Sequence, residues 1–173
     1  MRRRSKGRQP AKLYGAIVAQ ARLPIFYQSL GVPDTIDGRF AVLALHLFAV
    51  LNRLKAEGPA GVALAQALAD RFTSDIETVL RELGMSDLKV PKAVRRIAAS
   101  SRTQLGAYEA ALPEGEAALA AAIASALPLG SEPARAASSR LAPYLLGVVR
   151  LLAIKPAASL LAGELEFPQI REP

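Results

Sequence analysis

Cysteine is absent from the 173 residues. No disulfide, thiolate metal site or cysteine nucleophile is therefore available. Tryptophan is absent too, and histidine occurs once, at His46. A single imidazole excludes a histidine-cluster metal site within one chain. Neither G-x-x-x-x-G-K-[ST] nor G-x-G-x-x-G occurs, so the glycines form no phosphate loop. The serines lack the G-x-S-x-G elbow of a hydrolase nucleophile. Long apolar runs are missing as well. Phe40 to Leu51 is interrupted by His46, and Leu141 to Ile154 contains Arg150. Both fall short of the roughly 20 residues that hydrocarbon requires. The basic start is followed by Gln9, Pro10 and Lys12 rather than by the apolar core of a secretory signal. Enzymatic readings start from a weak position, and no cofactor is expected.

What remains is an apolar, basic chain. Hydrophobic residues make up 51%, which excludes a disordered protein. Lys and Arg number 22 against 15 acidic residues, a net charge of +7. Arg2, Arg3, Arg4, Lys6 and Arg8 carry much of that excess, leaving the rest of the chain near neutral. Residues 1–11 read as a flexible basic lead able to touch an anionic membrane or a ribosome.

The periodicity is helical throughout, with no period-two alternation and no repeat of solenoid length. A first helix is expected from Lys12 to Leu30 with a joint near Pro24. Asp34 is the expected cap of a second, apolar nearly all round, which ends at Gly58-Pro59. Such a helix belongs at the centre of a bundle. A third runs from about Gly61 to Leu83, unbroken across Thr73-Ser74-Asp75. A fourth covers Val90 to Leu112, with Lys92, Arg95, Arg96 and Arg102 turned away from its apolar face. An alanine-rich helix, Glu114 to Leu127, should owe more to propensity than to packing. A last helical region, Ala134 to Ala153, should kink or divide at Pro143. Its apolar set is Leu145, Leu146, Val149, Leu152 and Ile154. The expected fold is all-α: a single compact bundle of six or seven helices over residues 12–167, with 168–173 irregular.

Three groups could carry chemistry. His46 lies inside an apolar helix that itself supplies no polar groups nearby, which favours a structural histidine, or one lining a contact surface, over a catalytic or ligating one. Asp70, Asp75, Glu77, Glu82 and Asp87 form an acidic cluster. It lacks the repeated Glu-x-x-His pairs of a di-metal bundle, and helical salt bridges to Arg71 and Arg81 account for it. The basic stripe from Lys89 to Arg102 lacks interleaved aromatics for base stacking, so no specific nucleic-acid partner is expected. Tyr14, Phe26, Tyr27, Phe40, Phe72 and Tyr108 cluster near helix joints. Any of these that line a surface groove would mark a partner site.

Two blocks carry a resemblance. One is LYGAIVAQARLPIFYQSLGVPDTIDGRFAVLALHLFAVLNRL, with Tyr14, Phe26-Tyr27, Gly31-Val32-Pro33-Asp34 and Asp37-Gly38-Arg39-Phe40. The other is DRFTSDIETVLRELGMSDLKVPKAVRRIAASSRTQLGAYEAAL, with Asp75, Leu80-Arg81-Glu82-Leu83-Gly84, Asp87-Leu88 and Gly106-x-Tyr108. In order and spacing they resemble the ubiquinol–cytochrome c chaperone family, over about Lys12 to Leu112. The match departs at Ser100 to Gln104, where relatives usually carry an aromatic residue. The resemblance implies a non-enzymatic assembly chaperone. Its client would be newly made cytochrome b, held for assembly into the cytochrome bc1 complex together with a small helical partner. The short lead points to a bacterial member acting in the cytoplasm, with peripheral contact at the membrane. The residues expected at the client or partner surface are Tyr14, Phe26, Tyr27, Asp34, Asp37, Arg39, His46, Arg81, Glu82, Asp87 and Tyr108. The competing expectations are a small basic helical protein bound to nucleic acid or the ribosome, and a helical enzyme built on His46 and the acidic cluster.

Overall fold

The computed structural model describes residues 7–170. The expectations for Arg2, Arg3, Arg4 and Lys6, and for the last three residues, lie outside this range. Among the described residues the regular structure is entirely helical. Six helices have eleven residues or more: α1 Arg8–Ala21, α3 Ile36–Lys55, α4 Gly58–Glu82, α5 Val90–Ala111, α6 Glu116–Ala126 and α7 Ser131–Ile154. Two short α-helices, α2 Ile25–Gln28 and α8 Ala157–Leu161, and a 3-10 turn at Leu112–Glu114 complete the set. The first helix thus begins at Arg8, inside the segment expected to be a flexible lead. It breaks at Arg22-Leu23-Pro24, where the joint was expected.

Helix α3 is the axis of the bundle. Every residue from Ala41 to Val50 is buried. Helices α1, α4, α5 and α7 all pack on it, so each of its sides meets an apolar neighbour. Phe48 meets Tyr108 of α5 edge to face at 5.5 Å, and Phe40 meets Phe72 of α4 at 6.4 Å. Helix α4 is continuous through Thr73-Ser74-Asp75, and it buries Leu64, Leu68, Phe72, Ile76 and Leu80 along one face.

Four expectations need correction. Asp34 does not cap α3. Thr35 does, its Oγ1 accepting from the Gly38 amide at 3.1 Å, which frees Asp34 to pair with Arg39. Pro143 does not divide α7, which runs unbroken for 24 residues. Both Pro143 and Ser139, whose carbonyl loses its helical donor, are exposed, so water can take that donor's place. The alanine-rich α6 is also more than a propensity helix. Leu119, Ile123 and Leu127 are buried, and its principal packing partner is α7. Ile154 leaves the expected apolar set of α7 because it is 82% exposed, whereas Val148 joins it, fully buried.

By length and composition α7 could cross a membrane, its richest stretch having a mean hydropathy of 1.3. Its full helical length exceeds the apolar run visible in the sequence. One face, with Ala137, Leu141, Ala142, Leu145, Val148 and Leu152, is built into the core, and Arg135, Arg140 and Arg150 are exposed on the other. The Arg53 side chain of α3 donates to the carbonyls of Leu152 (2.9 Å) and Lys155 (3.2 Å) at the end of α7, where the Leu152 carbonyl also accepts from the Lys155 amide at 3.3 Å. Arg53 also pairs with Glu57.

Candidate functional site

A groove of about 630 Å³ opens where α1, α2, the start of α3 and the end of α4 converge. Its floor is apolar: Val18 and Ala21 from α1, Phe40 and Leu43 from α3, and Val79 from α4. Two apolar side chains stand on the rim with much of their surface in water, Ile36 at 45% and Leu83 at 57% exposed. The rest of the lining is polar: Arg22, Tyr27, Asp34, Thr35, Arg39 and Asp75.

Local sequence explains the rim. The side of Gly38 lies against the Pro33 carbonyl, so closely that a Cβ there would overlap the backbone. The Val32-Pro33 segment is thereby pressed onto the first turn of α3, and Asp34, Thr35 and Ile36 become the lip. At the opposite edge Gly84, at φ +81°, ends α4 by a left-handed turn in which the Met85 amide returns to the Leu80 carbonyl at 3.1 Å. That turn leaves Leu83 outside the helix packing.

The rim charges are organised. Asp34 accepts from Arg39 Nε at 2.6 Å, and the Arg39 guanidinium lies 5.5 Å from the Tyr27 ring centroid. The Tyr27 hydroxyl donates to the Ala21 carbonyl at 2.7 Å. Burial chiefly raises the Tyr27 phenol above its ordinary pKa, with Arg39 opposing. Across the groove the Tyr14 hydroxyl donates to Asp75 at 2.8 Å, and burial together with that carboxylate holds the phenol protonated far into the alkaline range. A guanidinium stacked on a ring and paired with a carboxylate gives a wall that can shift to meet polar flanks of a ligand. The floor offers only dispersion and water exclusion.

The expected surface residues divide sharply. Tyr27, Asp34 and Arg39 line the groove, and Tyr14 reaches its edge through Asp75. Asp37 is exposed in the first turn of α3, where its charge suits the helix end, but it does not line the groove. Arg81 pairs with Glu77 at 2.5 Å and Asp87 at 3.3 Å, tying the end of α4 to the turn beyond, and Glu82 is exposed beside them. Phe26, His46 and Tyr108 are corrections: all three are fully buried and present no surface to a partner. The acidic cluster also proves structural in part. Asp70 accepts from Gln66 at 2.8 Å, and Arg71 makes no ion pair among the described residues. No group of three or more metal-ligating side chains converges among those residues. The sequence reading missed Ile36, Val79 and Leu83. Val79 and Leu83 keep the helical spacing of the apolar face of α4, which reads as core, and Ile36 is an isolated apolar residue in the first turn of α3.

His46 belongs to a buried network instead. Its Nδ1 lies 2.8 Å from the Val42 carbonyl, which can only accept, so Nδ1 carries the proton. Nε2 then accepts from the Tyr144 hydroxyl at 2.7 Å, and the Tyr144 oxygen accepts from Gln20 at 3.0 Å. The edges of Phe26 and Phe167 enclose the ring. Burial lowers the imidazole to about 4 from its ordinary 6.5. The unfolded chain therefore binds the proton more readily. The folded state is favoured fully above pH 6.5 and loses that advantage as pH falls toward 4. Between pH 7 and pH 4.5 the loss should be about 2–3 kcal/mol. Denaturant unfolding at the two pH values measures it, and His46→Gln should show the shallower dependence. Equal slopes in the two proteins would remove His46 as the cause.

A rigid helical body around one apolar axis, with a charge-rimmed apolar groove at its side, defines a class: all-α bundle proteins carrying a binding groove. The family described as Ubiquinol-cytochrome C chaperone matches residues 28–167, and the chain belongs to that family. It is 23% identical over 112 residues to a Xenopus laevis protein, ubiquinol-cytochrome-c reductase complex assembly factor 1. That alignment takes in 65% of this chain and 56% of the frog protein, so the chain matches little more than half of its relative's length. The crystal structure of the Cbp3 homolog from Brucella abortus superposes with a TM-score of 0.83 at 38% identity. It covers 97% of this chain and 94% of that one.

Proposed function

We propose that this protein is an assembly chaperone of the cytochrome bc1 complex that acts without catalysis, and that its groove receives an apolar segment of newly made cytochrome b. Family membership, together with a relative named as an assembly factor for the same complex, supports the process. The observation that supports the site is the pairing of an apolar floor with the half-exposed Ile36 and Leu83 on the rim. A membrane segment in water exposes apolar surface, and a groove of this size covers only part of it. Covering part gives binding that a stronger assembly partner can reverse. Arg22, Arg39 and Asp34 then meet the polar residues that flank such a segment. The expected place of action is the cytoplasmic side of the membrane, where the client emerges, with a small helical partner as a further component.

A photo-reactive residue at Leu83 tests the site. Crosslinking in cells making cytochrome b should give a covalent product with that polypeptide, and the same probe at Val62, exposed near the start of α4, should give little. Deletion of the gene should lower cytochrome b and the assembled complex together. Normal levels of both would defeat the reading, whereas a loss of both without any Leu83 product would defeat only the groove.

A further inference from the structure

The turn from α4 to α5 carries a second surface, outside the groove lining except at Leu83. Leu88 stands at its apex, 95% exposed, the most exposed large apolar side chain among the described residues. Lys89 follows it directly, and Lys92, Arg95 and Arg96 continue along the first turns of α5, all exposed. By helical spacing these cations lie opposite the buried Val90, Ile97 and Tyr108, so they form one outward strip. None of the four makes an ion pair among the described residues. The nearby acids are few. Asp87 is tied to Arg81, Glu82 is exposed beside it, and Asp37 lines a small cleft together with Arg96.

We propose that this turn docks the protein onto an anionic lipid surface, with Leu88 and Leu83 entering the acyl boundary and the strip of Lys89, Lys92, Arg95 and Arg96 lying against the headgroups. An apex leucine bare of packing beside unpaired cations matches both zones of such an interface, apolar below and anionic above. A nucleic acid would use the cations, but it has no use for the leucines, and the strip offers no ring on which a base could stack. Because Leu83 belongs to both surfaces, docking would bring the groove mouth to the membrane. The inference does not depend on what the groove holds.

Vesicle flotation with the full chain tests it. The wild type should float with phosphatidylcholine vesicles containing phosphatidylglycerol, less so at high salt, and not with pure phosphatidylcholine. Leu88→Asp should lower the partition coefficient about tenfold or more. Lys92→Gln with Arg96→Gln should lower it about twenty-fivefold, roughly fivefold for each cation removed. All variants keep Arg2, Arg3, Arg4, Lys6 and Arg8, so binding through those residues alone would leave both variants floating like the wild type and overturn the proposal. Failure of the wild type to float would overturn it too. So would binding of a structured RNA, without flotation, that survives Leu88→Asp and is lost on removing the cations. Unchanged helical circular dichroism shows that each variant is folded.

Discussion

Ile36→Asp combined with Leu83→Lys lowers capture of cytochrome b by at least about thirtyfold, while the thermal midpoint moves by only a few degrees. Each side chain contributes roughly 1–2 kcal/mol of apolar contact to a segment lying in the groove, and each replacement puts a charge where that segment must be dehydrated. The fold is spared for a definite reason. Both positions are already wetted, and each new charge sits at the helix end that favours it, an acid at the start of α3 and a base at the end of α4. Binding of a fluorescent peptide from a cytochrome b membrane segment measures capture, and circular dichroism measures the midpoint. Undiminished binding by the folded double variant would take the client out of this groove.

Tyr108→Ala has the largest expected effect on stability, a loss of about 3–5 kcal/mol. That is a large share of the 5–15 kcal/mol typical of a domain. The ring is fully buried, meets Phe48 edge to face, and joins α5 to the central helix. Tyr108→Phe should be nearly neutral, because its hydroxyl makes no hydrogen bond among the described residues. Urea midpoints separate the two cases. They also separate the core role from the surface role that the sequence suggested. A contact residue would lose binding in both variants with little change in midpoint, whereas a core residue loses stability in the alanine variant alone.

The same distinction explains which parts of the site were legible. Asp34, Arg39 and Tyr27 could be picked out because they sit in the compact run that carries the family resemblance. Phe26, His46 and Tyr108 stand in equally distinctive runs, yet they point inward. One chain cannot distinguish a residue retained for packing from one retained for contact, since both are specific in size and shape. His46 illustrates this most plainly. Its partner Tyr144 lies 98 positions away along the chain, and Gln20, which donates to Tyr144, lies 124 positions from that tyrosine. No local pattern connects them.

Hydrophobic spacing alone was sufficient for the all-α class, the central place of α3, the unbroken α4 and the joint before Pro24. These follow from rules that act within a few residues: helical period, caps, and the backbone limits of glycine and proline. Position relative to other helices was out of reach. Asp34 and Thr35 are both competent caps, and in the folded chain Thr35 caps while Asp34 pairs with Arg39. Pro143 could remain inside α7 because that face of the helix meets water. The groove exists because four helix ends fail to close over Phe40 and Leu43, and its two most exposed apolar residues come from segments 47 positions apart. Short-range preferences are written residue by residue, but a cavity is a property of how helices meet, and that is decided only when the whole bundle packs.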